Sequence, residues 1–147
     1  MNVEPLINVR VTRRFKVSAE RVFDAWLSPE MLGQWMFGPG VREEEIVRLA
    51  VDAQVGGSFS FIVRRHGEEI DHIGKYLEIS RPHRLVFTWG IRQETTDFSR
   101  VIVEIVPLET GSELTLTHEL HPDWADYASR TETGWNKMLG TLATALG

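Results

Sequence analysis

The feature that most constrains the fold is a series of strand-like segments followed by one long amphipathic segment. From Glu43 to Leu120, short stretches alternate apolar with polar residues between Gly- and Pro-containing turns, which predicts six strands of an antiparallel sheet. From His121 to Leu146, apolar side chains recur at helical intervals instead. A helix of about 25 residues is ~37 Å long, enough to cross a whole sheet. Because a sheet with one apolar face needs a cover, we expect this helix to lie across it.

The segment before this sheet predicts one further strand and two short helices. Asn8–Phe15 alternates apolar and polar side chains, as a half-buried strand does. Ser18 and Ser28 suit helix N-caps, and Pro29 suits the first position of the second helix. This order of elements indicates an α+β fold, and the length of 147 residues favours a single domain over residues 1–147.

Four segments, found in the same order along the chain, carry a resemblance to a known family: VSAERVFDAWLSPEMLGQWM, VGGSFSF, GKYLEISRPHRLVFTWG and TETGWNKMLGTLATAL. Nearly the whole chain resembles homologues of the activator of the 90-kDa heat-shock-protein ATPase, in the START-like (SRPBCC) superfamily. The resemblance implies a helix-grip (START-like, Bet v-like) fold, in which a curved antiparallel sheet wraps around a long C-terminal helix and leaves a cavity. The chain has no length for the separate N-terminal domain with which a eukaryotic co-chaperone of this type engages its chaperone. A chaperone partner is therefore not expected.

Ten residues are candidates for the wall of this cavity. Eight are apolar side chains on the predicted inner faces of strands and terminal helix, where ordinary core residues also lie, and two carry a polar group. We predict that a ligand contacts Phe59, Phe61, Tyr76, Phe87, Trp89, Val101, Val103, His118, Trp135 and Met138.

His118 is the most informative polar residue of the set. In the segment ELTLTHEL it alternates with Leu114, Leu116 and Leu120 on one face of a strand, so it should point towards the terminal helix. Such a histidine is either a hydrogen-bonded core residue or a polar, proton-transferring contact in an apolar cavity.

The strand DHIGKYLEI leaves its orientation open. One face carries His72, Gly74, Tyr76 and Glu78, and the other is apolar except for Lys75. If the carboxylate of Asp71 or Glu78 lay near His118, the pair would support acid–base chemistry. No catalytic residue is assigned from the sequence.

Two glycine-containing segments predict local packing. Gly134 is expected to let a neighbouring group approach the terminal helix, while Trp135 fills the adjacent space. Trp35–Phe37, followed by GPG, suits either a flexible entrance or an ordinary helix end. A polar connection is predicted between Gly90 and Ser99.

Composition excludes several classes of function. The net charge of −5 argues against a nucleic-acid partner, which requires clustered Lys and Arg. No apolar run is long enough for membrane insertion, and the N-terminal segment has no signal-peptide pattern. The chain has no cysteine, its five histidines are scattered, and no phosphate-cradling or dinucleotide motif appears, so no metal and no cofactor are expected. A cytoplasmic location is the default.

The function that these observations favour is binding of a hydrophobic or amphipathic small molecule between the sheet and the C-terminal helix, without catalysis. One alternative is a cyclase, hydrolase or dehydratase acting on an aromatic or polyketide-like substrate, for which His118 and Tyr76 are the best candidates. A second alternative is a co-chaperone-like protein-interaction module, in which the helix pair presents Trp and Met side chains. Unpaired edge strands also favour a homodimer.

Overall fold

The computed structural model describes residues 6–92 and 98–147, so the predicted polar connection before Ser99 falls largely outside the described residues. Seven strands form one antiparallel sheet in the order β1-β7-β6-β5-β4-β3-β2. The strands are β1 (Ile7–Phe15), β2 (Glu45–Val51), β3 (Ser58–Arg65), β4 (Glu68–Ser80), β5 (Arg84–Ile91), β6 (Ser99–Leu108) and β7 (Gly111–Leu120). The helices are α1 (Ala19–Asp24), α2 (Pro29–Trp35) and α3 (Ala128–Leu146), with a 3₁₀ segment at Pro122–Tyr127. The α+β helix-grip fold is confirmed.

The two short helices begin where their caps predict. The Ser18 hydroxyl accepts a hydrogen bond from the Arg21 backbone N–H at 3.3 Å, and the Ser28 hydroxyl accepts one from that of Met31 at 3.3 Å. Each cap satisfies a backbone donor that the first turn of a helix leaves without a partner.

The terminal helix differs from the prediction in its first turn. The chain forms a 3₁₀ segment at Pro122–Tyr127, and Trp124 departs from helical geometry with φ −101° and ψ 17°. The His121 imidazole caps this segment by accepting a hydrogen bond from the Asp123 backbone N–H. The kink gives the segment before α3 its own direction, and α3 then packs Trp135, Leu139 and Leu142 into the core.

A β-bulge resolves the ambiguous orientation of β4. The register with β5 shifts between Tyr76 and Glu78. Before the bulge Tyr76 faces the core, where it is buried, and after it Ile79 packs against the same core. Glu78 instead forms an ion pair with Arg84 at 3.1 Å. The face that carries Tyr76 points inward before the bulge, and the face that carries Ile79 points inward after it. Both orientations considered from the sequence are therefore partly correct, because one extra residue exchanges the faces of the strand.

Gly74 permits a close approach within the sheet, whereas the prediction for Gly134 is wrong. A Cβ atom added at Gly134 would meet no atom within 4 Å outside its own helical neighbours. At Gly74 it would collide with the Thr88 carbonyl oxygen and lie 2.5 Å from Phe59 Cζ. The Phe59 ring therefore occupies the space that a side chain on β4 would need.

Candidate functional site

The ten predicted site residues lie in or against one core, which the sheet, the segment containing α1 and α2, and α3 enclose. His118 is buried, Trp89 and Met138 are partly buried against the core, and the other seven belong to the buried core cluster. Aromatic rings dominate this contact region; the Phe59 and Phe61 centroids, for example, are 4.6 Å apart. The structure thus brings these ten side chains together in one core.

The space enclosed among these rings is small. The cavity beside Phe59, Tyr76 and Phe87 measures about 10 Å³. A single water needs roughly 10–15 Å³ of such space. The space among these rings therefore has no room for a molecule much larger than water.

A larger pocket lies between the sheet and the beginning of the helical C-terminus. We call it the mouth pocket; its volume is about 590 Å³, and it is open to solvent. Its walls come from the end of β5, the start of β6, the end of β7 and the 3₁₀ segment, with one residue each from α3 and the N-terminal segment. It is lined by Leu6, Trp89, Gly90, Ile91, Phe98, Ser99, Arg100, His118, Glu119, Leu120, His121, Trp124, Tyr127 and Thr131.

Trp89 and His118 are the predicted site residues that line the mouth pocket. Sequence reasoning missed Phe98 and the Trp124–Tyr127 pair, whose ring centroids are 5.2 Å apart. The sequence does show Trp124 and Tyr127 three positions apart, directly after the turn that ends the sheet. In a continuous helix this spacing is also that of ordinary core positions, so it did not indicate a pocket wall.

His118 lies at one wall of the mouth pocket within a chain of hydrogen bonds. Trp135 Nε1 donates to His118 Nδ1 at 3.0 Å. His118 Nε2 lies 2.6 Å from Ser99 Oγ, and the Ser99 hydroxyl donates to the Trp89 carbonyl oxygen at 3.2 Å. Since Nδ1 accepts, the proton resides on Nε2, and the imidazole is neutral. Burial lowers the pKa of His118 to about 4, which agrees with this assignment.

The carboxylate–imidazole pair that acid–base chemistry would require is not formed. Asp71 accepts hydrogen bonds from the Ser60 hydroxyl and from Arg92 Nε, each at 2.7 Å. Glu78 is held by Ser80 and Arg84. Both ring nitrogens of His118 are occupied by Trp135 and Ser99, so the arrangement positions a pocket wall and holds no free base at this residue.

The segment suggested as an entrance is instead firmly anchored. Trp35–Phe37 are at most 2 % exposed, and the turn after them is tied to the sheet by Glu44. The fully buried Glu44 carboxylate accepts hydrogen bonds from the Gly38 backbone N–H at 2.8 Å, from Arg42 at 3.1 Å and from Arg65 at 2.6 Å. The neighbouring Glu45 is exposed, so these two adjacent acidic residues lie in different environments.

The rim of the mouth pocket is polar and internally paired. Arg100 forms two hydrogen bonds to Glu119, at 2.6 and 3.1 Å, and this contact lowers the pKa of Glu119.

Within residues 6–92 and 98–147, no group of three or more metal-ligating side chains could hold a metal ion. In the same ranges, no helix is both long enough and apolar enough to cross a membrane.

A second pocket lies on the outer face of β3–β5. Its volume is about 430 Å³, and it is bordered by Ser60, Ile73 and Lys75, with Phe98 between it and the mouth pocket. It does not contact the terminal helix.

Comparison with known structures places the fold. A protein from Chromobacterium violaceum is 23% identical, with 94% of this chain and 95% of that chain covered and a TM-score of 0.81. A protein from Rhodobacter sphaeroides is 22% identical, with coverage of 95% and 91% and a TM-score of 0.82. A Staphylococcus aureus protein described as of unknown function is 21% identical, with 99% of both chains covered and a TM-score of 0.78.

A search of curated proteins found no match. The model of the family described as "Activator of Hsp90 ATPase homolog 1-like protein" matches residues 16–147. This match spans both short helices, β2–β7 and α3, which together build the mouth pocket and the packed interior. The chain therefore belongs to the family of Activator of Hsp90 ATPase homolog 1-like proteins.

Proposed function

We propose that this protein binds a flat, largely apolar small molecule in the mouth pocket. The observation that carries the proposal is a pocket of about 590 Å³ between the sheet and the helical C-terminus, with walls rich in aromatic and aliphatic side chains. Ligand pockets typically span about 300–1,000 Å³ and combine apolar walls with a few placed polar groups.

The charges at the rim favour an uncharged or amphipathic ligand. Arg100 and Glu119, which both line the pocket, neutralise each other. Of the ten predicted contacts, Trp89 and His118 line this pocket and are the contacts that we propose for its ligand. The other eight would contact a ligand only if it entered the packed interior.

The test is binding of N-phenylnaphthylamine, an uncharged aromatic probe that fluoresces in apolar surroundings. Trp124→Ala removes one aromatic wall of the mouth pocket and should weaken binding by up to about tenfold, because a buried aromatic contact contributes roughly 0.5–1.5 kcal/mol. Leu77→Ala is the matched control, since Leu77 is 47% exposed on β4 and borders neither pocket. Equal affinities for both variants, or no binding to the wild type, would count against the proposal.

Native mass spectrometry of the gently purified protein addresses the natural ligand. If removal of a co-purifying molecule increases the binding of N-phenylnaphthylamine, that molecule occupied the same pocket, and its mass identifies it as the natural ligand. Homodimerisation through an edge strand, a cytoplasmic location and the absence of a chaperone partner stay predictions.

A further inference from the structure

One buried polar atom in the packed interior has no partner. Trp26 Nε1 is the buried side-chain nitrogen or oxygen without a hydrogen-bond partner among the described residues. The two indoles nearest to it are satisfied: Trp35 Nε1 donates to the Ala25 carbonyl oxygen and Trp135 Nε1 to His118 Nδ1, each at 3.0 Å. A buried N–H that loses its hydrogen bond to water without gaining an acceptor destabilises the fold. Most buried polar groups in proteins therefore have a partner, and Trp26 is an exception that requires an explanation.

The Trp26 side chain borders the interior cavity of about 10 Å³. The remaining walls are apolar or aromatic, and none of the residues that border the cavity carries a charge at neutral pH. A charged group would be costly here, whereas a neutral acceptor oxygen would satisfy the indole N–H.

Trp89 is a lining residue of both this cavity and the mouth pocket. It is only partly buried, and its ring centroid lies 6.0 Å from that of Trp135 and 6.2 Å from that of Phe87. A passage between the two spaces would therefore open most directly at this residue.

We propose that Trp89 is a gate through which a ligand in the mouth pocket reaches the interior, where Trp26 Nε1 donates a hydrogen bond to a neutral acceptor oxygen of that ligand. The inference rests on the proposed function and narrows its ligand class to aromatic ketones, aldehydes, ethers or similar uncharged molecules. The apolar body occupies the space that the displaced Trp89 ring vacates, because the cavity itself holds no more than a water molecule, and the acceptor oxygen lies at the inner end.

The experiment uses the full chain with ¹⁵N-labelled tryptophan and follows its indole N–H signals by NMR. The probes are acetophenone, which has an acceptor oxygen, and ethylbenzene, which has nearly the same shape without one. Both should shift the Trp124 signal, which reports on the mouth pocket. Only acetophenone should shift the Trp26 signal downfield, and it should bind about threefold to tenfold more tightly, the equivalent of one net hydrogen bond.

Two variants sharpen the result. Trp26→Phe should abolish the preference for acetophenone while keeping the affinity for ethylbenzene, and Trp89→Ala should speed exchange at the Trp26 signal. If Trp26→Phe does not fold, the comparison of the two probes on the wild type decides alone.

The outcomes separate the two proposals. A response of Trp124 without a response of Trp26 would overturn this inference and leave the proposed function standing. The inference would fail in the same way if Trp26 responded equally to both probes, or if a buried water held its N–H unchanged. Silence of every indole signal would count against the proposed function itself.

Discussion

Trp135 and His118 are joined by a hydrogen bond of 3.0 Å that connects the centre of α3 to the end of β7. The donor is the indole N–H and the acceptor is Nδ1 of a buried, neutral imidazole. This bond fixes the bulkiest side chain of the terminal helix against the sheet and orients the histidine that lines the mouth pocket. The loss of stability on removal of this bond, and the dependence of stability on pH, can both be measured.

We expect His118→Leu to lower the free energy of unfolding by about 2 kcal/mol. The substitution leaves the Trp135 N–H buried without an acceptor, and an unpaired buried donor costs roughly 1–3 kcal/mol. Urea denaturation measures the change. The double variant His118→Leu/Trp135→Phe also lacks the donor. Its loss of stability should therefore be smaller than the sum of the losses of the two single variants. A loss equal to that sum would show that the bond contributes little.

Stability should fall as the pH drops from about 6.5 towards 4. Burial lowers the pKa of His118 and of His72 to about 4 in the folded protein, so the unfolded chain binds more protons in this range. Each histidine should therefore reduce the free energy of unfolding by about 3 kcal/mol between pH 7 and pH 4. A His118→Leu variant should lose about half of this dependence in urea titrations at several pH values, and an unchanged slope would contradict the assignment.

We expect Gly134→Ala to stabilise the protein by about 0.5–1 kcal/mol. The position lies inside α3, a new Cβ meets no neighbour within 4 Å, and alanine favours helix over glycine by about this amount. The melting temperature should rise by roughly 1–4 °C. Gly74→Ala is the contrasting variant: its Cβ collides with Thr88 and Phe59, and it should melt well below the wild type.

Glu44→Gln should destabilise the fold by about 3 kcal/mol or more. Its carboxylate is fully buried and accepts hydrogen bonds from Gly38, Arg42 and Arg65, so the neutral amide leaves two guanidinium groups without their charge partner. Glu45→Gln alters an exposed ion pair with Arg64 and should change stability by less than about 1 kcal/mol. Similar losses for the two variants in chemical denaturation would refute the distinction.

The order and type of the elements could be predicted because their signals are local. Ser18 and Ser28 cap helices through atoms three residues away, and alternation along β7 places His118 on the inner face. Each of these depends on a period of two or of about 3.6 residues, which a single stretch of sequence displays.

The features that could not be predicted depend on residues far apart in the chain. The role of Glu44 requires Arg65 across the neighbouring strand, and the bulge at Tyr76 is visible only against β5. The mouth pocket likewise is lined by Trp89, Phe98 and Trp124, which come from three distant segments. Trp89 and Trp124 look like core positions within their own segments, and Phe98 belongs to a connection that reads as polar. The unpaired N–H of Trp26 could not be predicted either, because whether a buried donor has an acceptor depends on the side chains that pack around it from other segments.

The bulge in β4 changes which residues of that strand face the interior. Tyr76 and Ile79 both reach the core although they are three positions apart, a spacing that a regular strand would place on opposite faces. Glu78, which lies between them, pairs with Arg84 on the exposed side, and Arg84 also pairs with Glu104. A substitution at Tyr76 therefore changes the packing of the interior, whereas one at Glu78 changes only exposed ion pairs, which contribute little to stability.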